Sequence, residues 1–251
     1  MKRFVAVLAL VALLPLARDA RAEGSRGSFE LWVHQSLATQ SLQGWNDQYD
    51  QINEGLRFFG IPDRVNSFGN AIPFGAEVNY RLRPGMIVGI GFESQRALAD
   101  NFFTDNVGFV IDDVPTTVDT RDELSLNTTT AIFGLDIGRT GLTLWGELGY
   151  GFAEAESFVQ ITPIATPSSP LVVSDARWEG NAMVGAIALG FRRELGGRSM
   201  ISAKVGYLMA DMGELEGPAG PPTNFLGEPI GTDFSGVHVT AGIGIILNRV
   251  R

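Results

Sequence analysis

The chain has 251 residues, no cysteine, two lysines and a formal net charge of −9. Without cysteine there is neither a disulfide framework nor thiol chemistry. So acidic a chain is a poor partner for nucleic acid, whose phosphates need clustered Lys and Arg. Beyond the first residues no apolar run reaches the roughly 18 that a membrane-spanning helix needs.

Lys2 and Arg3 precede an apolar run over 4–16, and Ala20-Arg21-Ala22 forms an A-x-A cleavage pattern. Basic, then apolar, then small residues are the order of a secretory signal peptide. Residues 1–22 are therefore expected to be the signal, and 23–251, starting at Glu23, a single barrel domain. Cleavage would remove four bases (Lys2, Arg3, Arg18, Arg21) and one acid (Asp19), taking −9 to −12. Export leaves the periplasm or the outer membrane as compartments.

The rest of the chain alternates with period two, the pattern of strands with two chemically different faces. The first strand is expected over 28–37, with Phe29, Leu31 and Val33 opposite Glu30, Trp32 and His34. The second, 72–82, sets Phe74, Ala76, Val78 and Tyr80 against Gly75, Glu77, Asn79 and Arg81. After the turn Arg83-Pro84-Gly85, the third covers 86–95, with Val88, Ile90 and Phe92 opposite Gly89, Gly91 and Glu93. The fourth (124–137) opposes Ala131, Phe133 and Leu135 to Thr128, Thr130 and Asp136. A turn over 138–141 leads to the fifth (142–154), where Leu144, Leu148, Tyr150 and Phe152 oppose Trp145, Glu147 and Gly149. In the sixth (178–195) Met183, Ile187, Leu189 and Phe191 oppose Ala182, Ala186, Ala188 and Arg192, with Val184 on the small-residue face. The Gly196-Gly197-Arg198 turn precedes the seventh (199–212), which opposes Ile201, Val205 and Tyr207 to Ser202, Lys204 and Gly206. The last, 234–247, sets Val237, Val239, Ile243, Ile245 and Leu247 against His238, Thr240, Gly242 and Gly244.

Connections alternate long and short, which predicts an all-β, eight-stranded antiparallel up-and-down barrel with short turns at one end and long outer loops at the other. The last strand has no successor, so in lipid its edge has to close onto an earlier strand. A soluble barrel would turn its apolar face inward and use Lys and Glu freely outside. Here the polar face is mostly Gly, Ala, Ser and Thr with isolated charges, and the one lysine past the signal, Lys204, sits within it. Tyr80, Tyr150, Phe152, Phe191 and Tyr207 fall toward strand ends on the apolar face, as interface girdles do. Together these features point to a transmembrane barrel.

With that pattern the chain resembles the small eight-stranded outer-membrane barrels, the group that includes OmpA transmembrane domains and OmpW-like proteins. The closing strand is similar to the assembly signal of that class, with Thr240 and Gly242 followed by Ile245 and Leu247. Members usually end on an aromatic residue, whereas this chain ends Asn248-Arg249-Val250-Arg251. The resemblance implies a monomer in the cell outer membrane, with outer-membrane lipid and, through the C-terminal strand, the barrel-assembly machinery as partners.

The inward face is expected to hold a charge network of Glu30, Glu77, Arg81, Glu93, Asp136, Glu147, Arg192, Lys204 and His238. Charges taken out of water need partners, and eight strands enclose a space that side chains fill. A packed polar plug is therefore favoured over an ion pathway. Complementary pairs such as Glu77 or Glu93 with Arg81 would mark the plug. Both histidines, His34 and His238, are assigned inward, on the first and last strands. Some barrels of this class are lipid A-modifying hydrolases with a lipid-facing His–Ser pair, and spacing here assembles no Ser–His–acid array. No catalytic residue, cofactor site or metal site is expected.

In the first long segment Leu42, Trp45, Tyr49, Ile52, Leu56 and Phe59 follow at intervals of three and four, one stripe of an amphipathic helix. Gly60 and Pro62 end it, and a lid over the barrel mouth is the expected role. The segment 97–123 holds seven acids (Asp100, Asp105, Asp112, Asp113, Asp119, Asp122, Glu123) and one Arg, and 213–233 holds Glu214, Glu216, Glu228 and Asp233 with no base. Such oxygen-rich loops could attract divalent cations, although no ligand spacing is present. The expected function is a structural or surface-interaction role with a largely plugged lumen. The alternatives are a narrow porin-like channel for small solutes and, as a minor option, a lipid-modifying outer-membrane hydrolase.

Overall fold

The structure, a computed structural model, describes residues 27–247 apart from 107, 109, 112, 113, 138–140, 197 and 225. The expected signal peptide over 1–22 and the start at Glu23 lie outside the described residues. So do Gly138, Arg139 and Thr140 of one expected turn, Gly197 of another, the acids Asp112 and Asp113, and the terminal Asn248, Arg249, Val250 and Arg251.

In chain order the elements are β1 (Phe29–Ala38), α1 (Gln43–Phe58), β2 (Phe74–Arg83), β3 (Met86–Asp105), β4 (Thr116–Asp136), β5 (Leu142–Pro163), β6 (Val172–Gly196), β7 (Ser199–Met209), β8 (Asp211–Glu214), β9 (Gly231–Asp233) and β10 (Gly236–Ile246). β1 to β7 and β10 form one closed antiparallel barrel in the order β1-β10-β7-β6-β5-β4-β3-β2, while β8 and β9 pair in a separate two-stranded sheet. The seam runs from Glu30 opposite Ile246 to Ala38 opposite His238. The expected eight-stranded barrel, with its first and last strands as neighbours, is therefore what the chain forms.

Around the short-turn half of the barrel the apolar face is the outer one. Leu31, Val78, Ile90, Phe92, Phe133, Leu148, Ile187, Val205 and Ile243 are all exposed, whereas inward Glu30, Trp32, Asn79, Arg81 and Trp145 are buried. This inverts the arrangement of a barrel surrounded by water and matches one surrounded by lipid.

Above that belt the strand parity continues and the chemistry of the two faces changes places. On β3 the outward series Ile90, Phe92 passes into a mixed face of Arg96, Leu98, Asp100 and Phe102, while the inward series passes from Glu93 and Gln95 to the buried Ala97, Ala99 and Phe103. On β4 outward Phe133 gives way to Glu123, Arg121 and Asp119, and inward Leu126, Leu124 and Val118 are buried. The strands thus leave the apolar phase, and the interior above it becomes an ordinary hydrophobic core in a water-facing wall.

The long outer loops expected over 96–123 and 155–177 are therefore mostly strand, with connections of only 106–115 and 164–171. Asp100, Asp105, Asp119, Asp122 and Glu123 are strand residues, not loop residues. The seventh strand ends at Met209, and Met212 belongs to β8. The strand ends moved because ladder pairing does not require an apolar outer face once the chain has left lipid.

The stripe at helical spacing forms α1. Leu42, Trp45, Tyr49 and Leu56 are buried and Ile52 is partly buried. Phe59 departs from expectation: it is 45% exposed, because α1 stops at Phe58 and Gly60, at φ 74°, turns the chain away. α1 caps the barrel mouth as the expected lid. Its N-terminus is tied down by Ser41 N–H to Ser235 O (3.0 Å) and Leu42 N–H to Asp233 O (2.8 Å). Gly44 allows this close approach, since a Cβ there would stand 2.8 Å from Gly231 O.

The reversal of faces predicts opposite outcomes at adjacent positions of β3. Ala99→Lys puts a charge into the buried core and should destabilise the protein by more than about 3 kcal/mol. Leu98→Lys, on the exposed wall, should change stability by less than about 0.5 kcal/mol. Urea titration of the refolded protein in detergent reads both.

Candidate functional site

The candidate site is the barrel interior, which is filled in three layers. Nearest the short turns, β1, β2, β4 and β6 each contribute one charge to a closed ring. Arg81 Nη1 donates to Asp136 Oδ2 at 2.9 Å and Nη2 to Glu30 Oε1 at 3.4 Å. Arg192 Nη1 donates to Glu30 Oε2 at 2.8 Å, and its Nη2 lies 3.5 Å from Asp136 Oδ1. Each acid thus bridges both arginines. Trp32 Nε1 donates to Glu30 (3.2 Å) and Thr143 Oγ1 to Asp136 (2.8 Å), occupying further carboxylate lone pairs. None of the four charged side chains is more than 6% exposed. Two cations and two anions balance, which is what lets charges persist out of water.

The middle layer is anchored by Lys204 of β7, whose ammonium donates to Glu77 Oε1 and lies 4.4 Å from the Trp145 ring centroid. Arg192 of the first layer touches the same ring, at 5.7 Å, so Trp145 joins the two layers. Glu77 also accepts from Asn79 Nδ2 (3.0 Å), and Glu147 accepts from Thr130 Oγ1 (3.1 Å). His34, Glu93 and His238 complete the layer around a cavity of about 60 Å³.

The third layer is apolar. Ala97, Ala99, Phe103, Leu124, Leu126, Ala155 and Val184 form one buried cluster with Trp45, Tyr49 and Leu56 of α1. Two hydrogen bonds hold the lid in register. Trp45 Nε1 donates to Thr232 Oγ1 at 3.0 Å, and the Tyr49 hydroxyl donates to Asp122 Oδ2. Burial, followed by the neighbouring Asp122 charge, pushes the Tyr49 phenol well above its ordinary range, and burial pushes the Asp122 carboxyl up as well.

All nine residues of the expected charge network face inward, but their pairing differs from the sequence expectation. Arg81 pairs with Glu30 and Asp136, not with Glu77 or Glu93, and Glu77 pairs with Lys204. Arg81 and Glu77 lie four residues apart on one strand, about 13 Å along it, whereas Glu30 and Asp136 reach Arg81 from other strands. On the closing strand Thr240 faces inward, hydrogen-bonded to Ser36 at 2.8 Å. Gly242 also faces inward, while Ile245 and Leu247 are exposed. Trp145, Asn79, Thr130 and Thr143 were not singled out from sequence as site residues; their inward parity was the signal.

On the outer wall several acids have arginine partners. Arg96 pairs with Glu123, Arg121 lies 3.6 Å from Asp100, and Arg177 reaches Glu154 (2.8 Å), Glu179 (3.2 Å) and Glu156 (3.7 Å). Such exposed pairs contribute little to stability. Among the described residues no three His, Asp or Glu side chains are placed to hold a metal ion.

No protein family matches the chain, and neither does any curated protein. Solved structures with a similar barrel include the outer membrane protein OprG from Pseudomonas aeruginosa, at 12% identity and a TM-score of 0.40, over 89% of this chain and 97% of that one. The attachment invasion locus protein Ail of Yersinia pestis, in complex with the heparin analogue sucrose octasulfate, is 13% identical with a TM-score of 0.39, over 88% of this chain and 99% of that one. The N-terminal β-barrel domain of Pseudomonas aeruginosa OprF is 9% identical with a TM-score of 0.39, over 89% and 100%.

Two outcomes follow from this geometry. Arg192→Met leaves Glu30 buried with one partner fewer and should cost about 3–5 kcal/mol, whereas adding Glu30→Gln to it should recover a large part of that loss; unfolding midpoints of the two variants decide this. Tyr49 has a folded-state pKa above its unfolded one. Its contribution to stability is therefore complete below about pH 10 and is lost only as pH rises through the higher folded value. Tyr49 should stay out of the phenolate absorbance step near pH 10 of the folded protein, so Tyr49→Phe should leave the amplitude of that step unchanged.

Proposed function

We propose that this protein is an integral outer-membrane β-barrel with a closed lumen, whose role is structural or is carried by the surface it displays above the membrane. The observation that carries the reading is the succession, within one lumen, of a buried four-charge ring and a continuous apolar core under α1. Water and ions would have to break the ring and unseat the lid to pass. The belt of exposed apolar residues below a wall of charged pairs supports a position spanning a membrane, with the wall outside it.

The closing strand, with inward Thr240 and Gly242 and outward Ile245 and Leu247, would serve as the signal read by the barrel-assembly machinery. Lipid-modifying chemistry fits the interior poorly. The His34 and His238 rings face carboxylates, and Ser36 is hydrogen-bonded to Thr240 and lies 3.5 Å from Glu93, so the geometry builds no His-activated hydroxyl. The outer-wall acids, some of them paired with arginines, would attract divalent cations only diffusely.

Single-channel recording in a planar bilayer tests the reading. Refolded protein, confirmed as inserted by a heat-modifiable band, should give no stepwise openings. Reproducible openings that change when Lys204 or Arg192 is neutralised would make the lumen the working part and favour the channel.

A further inference from the structure

The two polar layers differ in charge balance. The ring nearest the turns has two arginines and two acids. The middle layer has three carboxylates, Glu77 of β2, Glu93 of β3 and Glu147 of β5, against one ammonium, Lys204 of β7. The remaining titratable groups that face it are His34 of β1 and His238 of β10; β4 contributes Thr128 and Thr130, and β6 contributes Ala186. With both rings neutral the layer carries two uncompensated negative charges inside a lipid-embedded wall, a costly arrangement.

The rings are placed to offset that charge. His34 is nine-tenths buried, with Nδ1 3.5 Å from Glu77 Oε1 and Nε2 3.4 Å from Glu93 Oε2. His238 Nδ1 lies 3.6 Å from the other oxygen of Glu93. A neutral imidazole has a donor on one nitrogen only, so a ring flanked by carboxylates on both sides can serve both only as the imidazolium. His34 Nδ1 and His238 Nε2 are buried and make no hydrogen bond as the side chains stand. The ring position is prepared by the backbone: a Cβ at Gly75 would stand 2.2 Å from His34 Nε2. The adjoining cavity of about 60 Å³ is large enough to admit water beside the rings.

We propose that the middle layer is a proton-binding site: closing the barrel takes up at least one proton more than the same side chains hold in water at neutral pH, and holds it as an imidazolium at His34 or His238, against Glu93. These side chains do not converge on a single metal centre, and a proton held by one ring against Glu93 fits the geometry better. The proposal rests on the closed interior but not on electrical silence, so a conducting barrel that still held the proton would refute the earlier reading alone.

The chain contains only two histidines, so selective labelling resolves the site completely. Tag-free protein carrying ¹⁵N-histidine, refolded in micelles with EDTA, should show one ring protonated on both nitrogens at about pH 7.5, where free histidine is mostly neutral. Glu93→Gln should abolish that signature. Two neutral rings, or an imidazolium that persists in Glu93→Gln, would overturn the proposal. A second readout covers a variant that fails to fold. Because the folded state binds the extra proton, its stability should fall as pH rises above about 6.5, by tenfold in the folding equilibrium constant per pH unit per proton. A flat wild-type profile between about pH 6.5 and 8.5 would equally sink it.

Discussion

Lipid offers no hydrogen bonds to a peptide group, and that single constraint organises this molecule. A sheet edge left open in hydrocarbon costs several kcal/mol for each unpaired group, so the ladder has to run all the way round. Nine residue pairs between β1 and β10 complete it. Once the ring of strands is closed, period-two geometry leaves every strand side chain one of two destinations, the outer face or the lumen. The lumen of an eight-stranded barrel is narrow enough for side chains to fill. Charges sent there have no access to bulk water and can persist only in mutual contact, which is why Arg81, Glu30, Arg192 and Asp136 form a closed ring.

The same backbone then crosses a change of solvent without changing its pairing. Below the crossing, Phe92 and Phe133 face outward and Glu93 and Thr130 inward. Above it, Arg96 and Glu123 face outward and Ala97 and Leu124 inward. The wall is one continuous sheet with two different insides. The polar inside gives order through directed bonds, and the apolar inside gives a surface on which an amphipathic helix can seat. α1 works as a cap because the core beneath Trp45 and Leu56 is hydrophobic.

Much of this was legible in the sequence, for identifiable reasons. Lipid-facing alternation is demanding, so the eight strands and the inward assignment of Glu77, Glu147, Arg192 and Lys204 followed from parity alone. The three-and-four spacing of Trp45, Tyr49 and Leu56 likewise declared a buried helix face. The partners of Arg81 were not legible, because Glu30 and Asp136 come from other strands and reach it only through barrel closure. The upper halves of β3 to β6 are not legible from apolar outward residues, because above the lipid the apolar series moves to the inward side, to Ala99 and Leu126. Phe59 followed the helical spacing but lies past the residue at which the helix unwinds.

The seam between β1 and β10 also sets the chain-entropy profile of the fold. β3 to β6 pair in succession across short connections, so each hairpin closes only a small loop. The bond between Ser36 and Thr240 joins residues 204 positions apart. In an unstructured chain, closing a loop of that length would cost on the order of 5 kcal/mol in configurational freedom. The successive hairpins between them shorten the loop that remains to be closed, so the β1–β10 ladder gains its register from the sheet already built and not from a turn of its own.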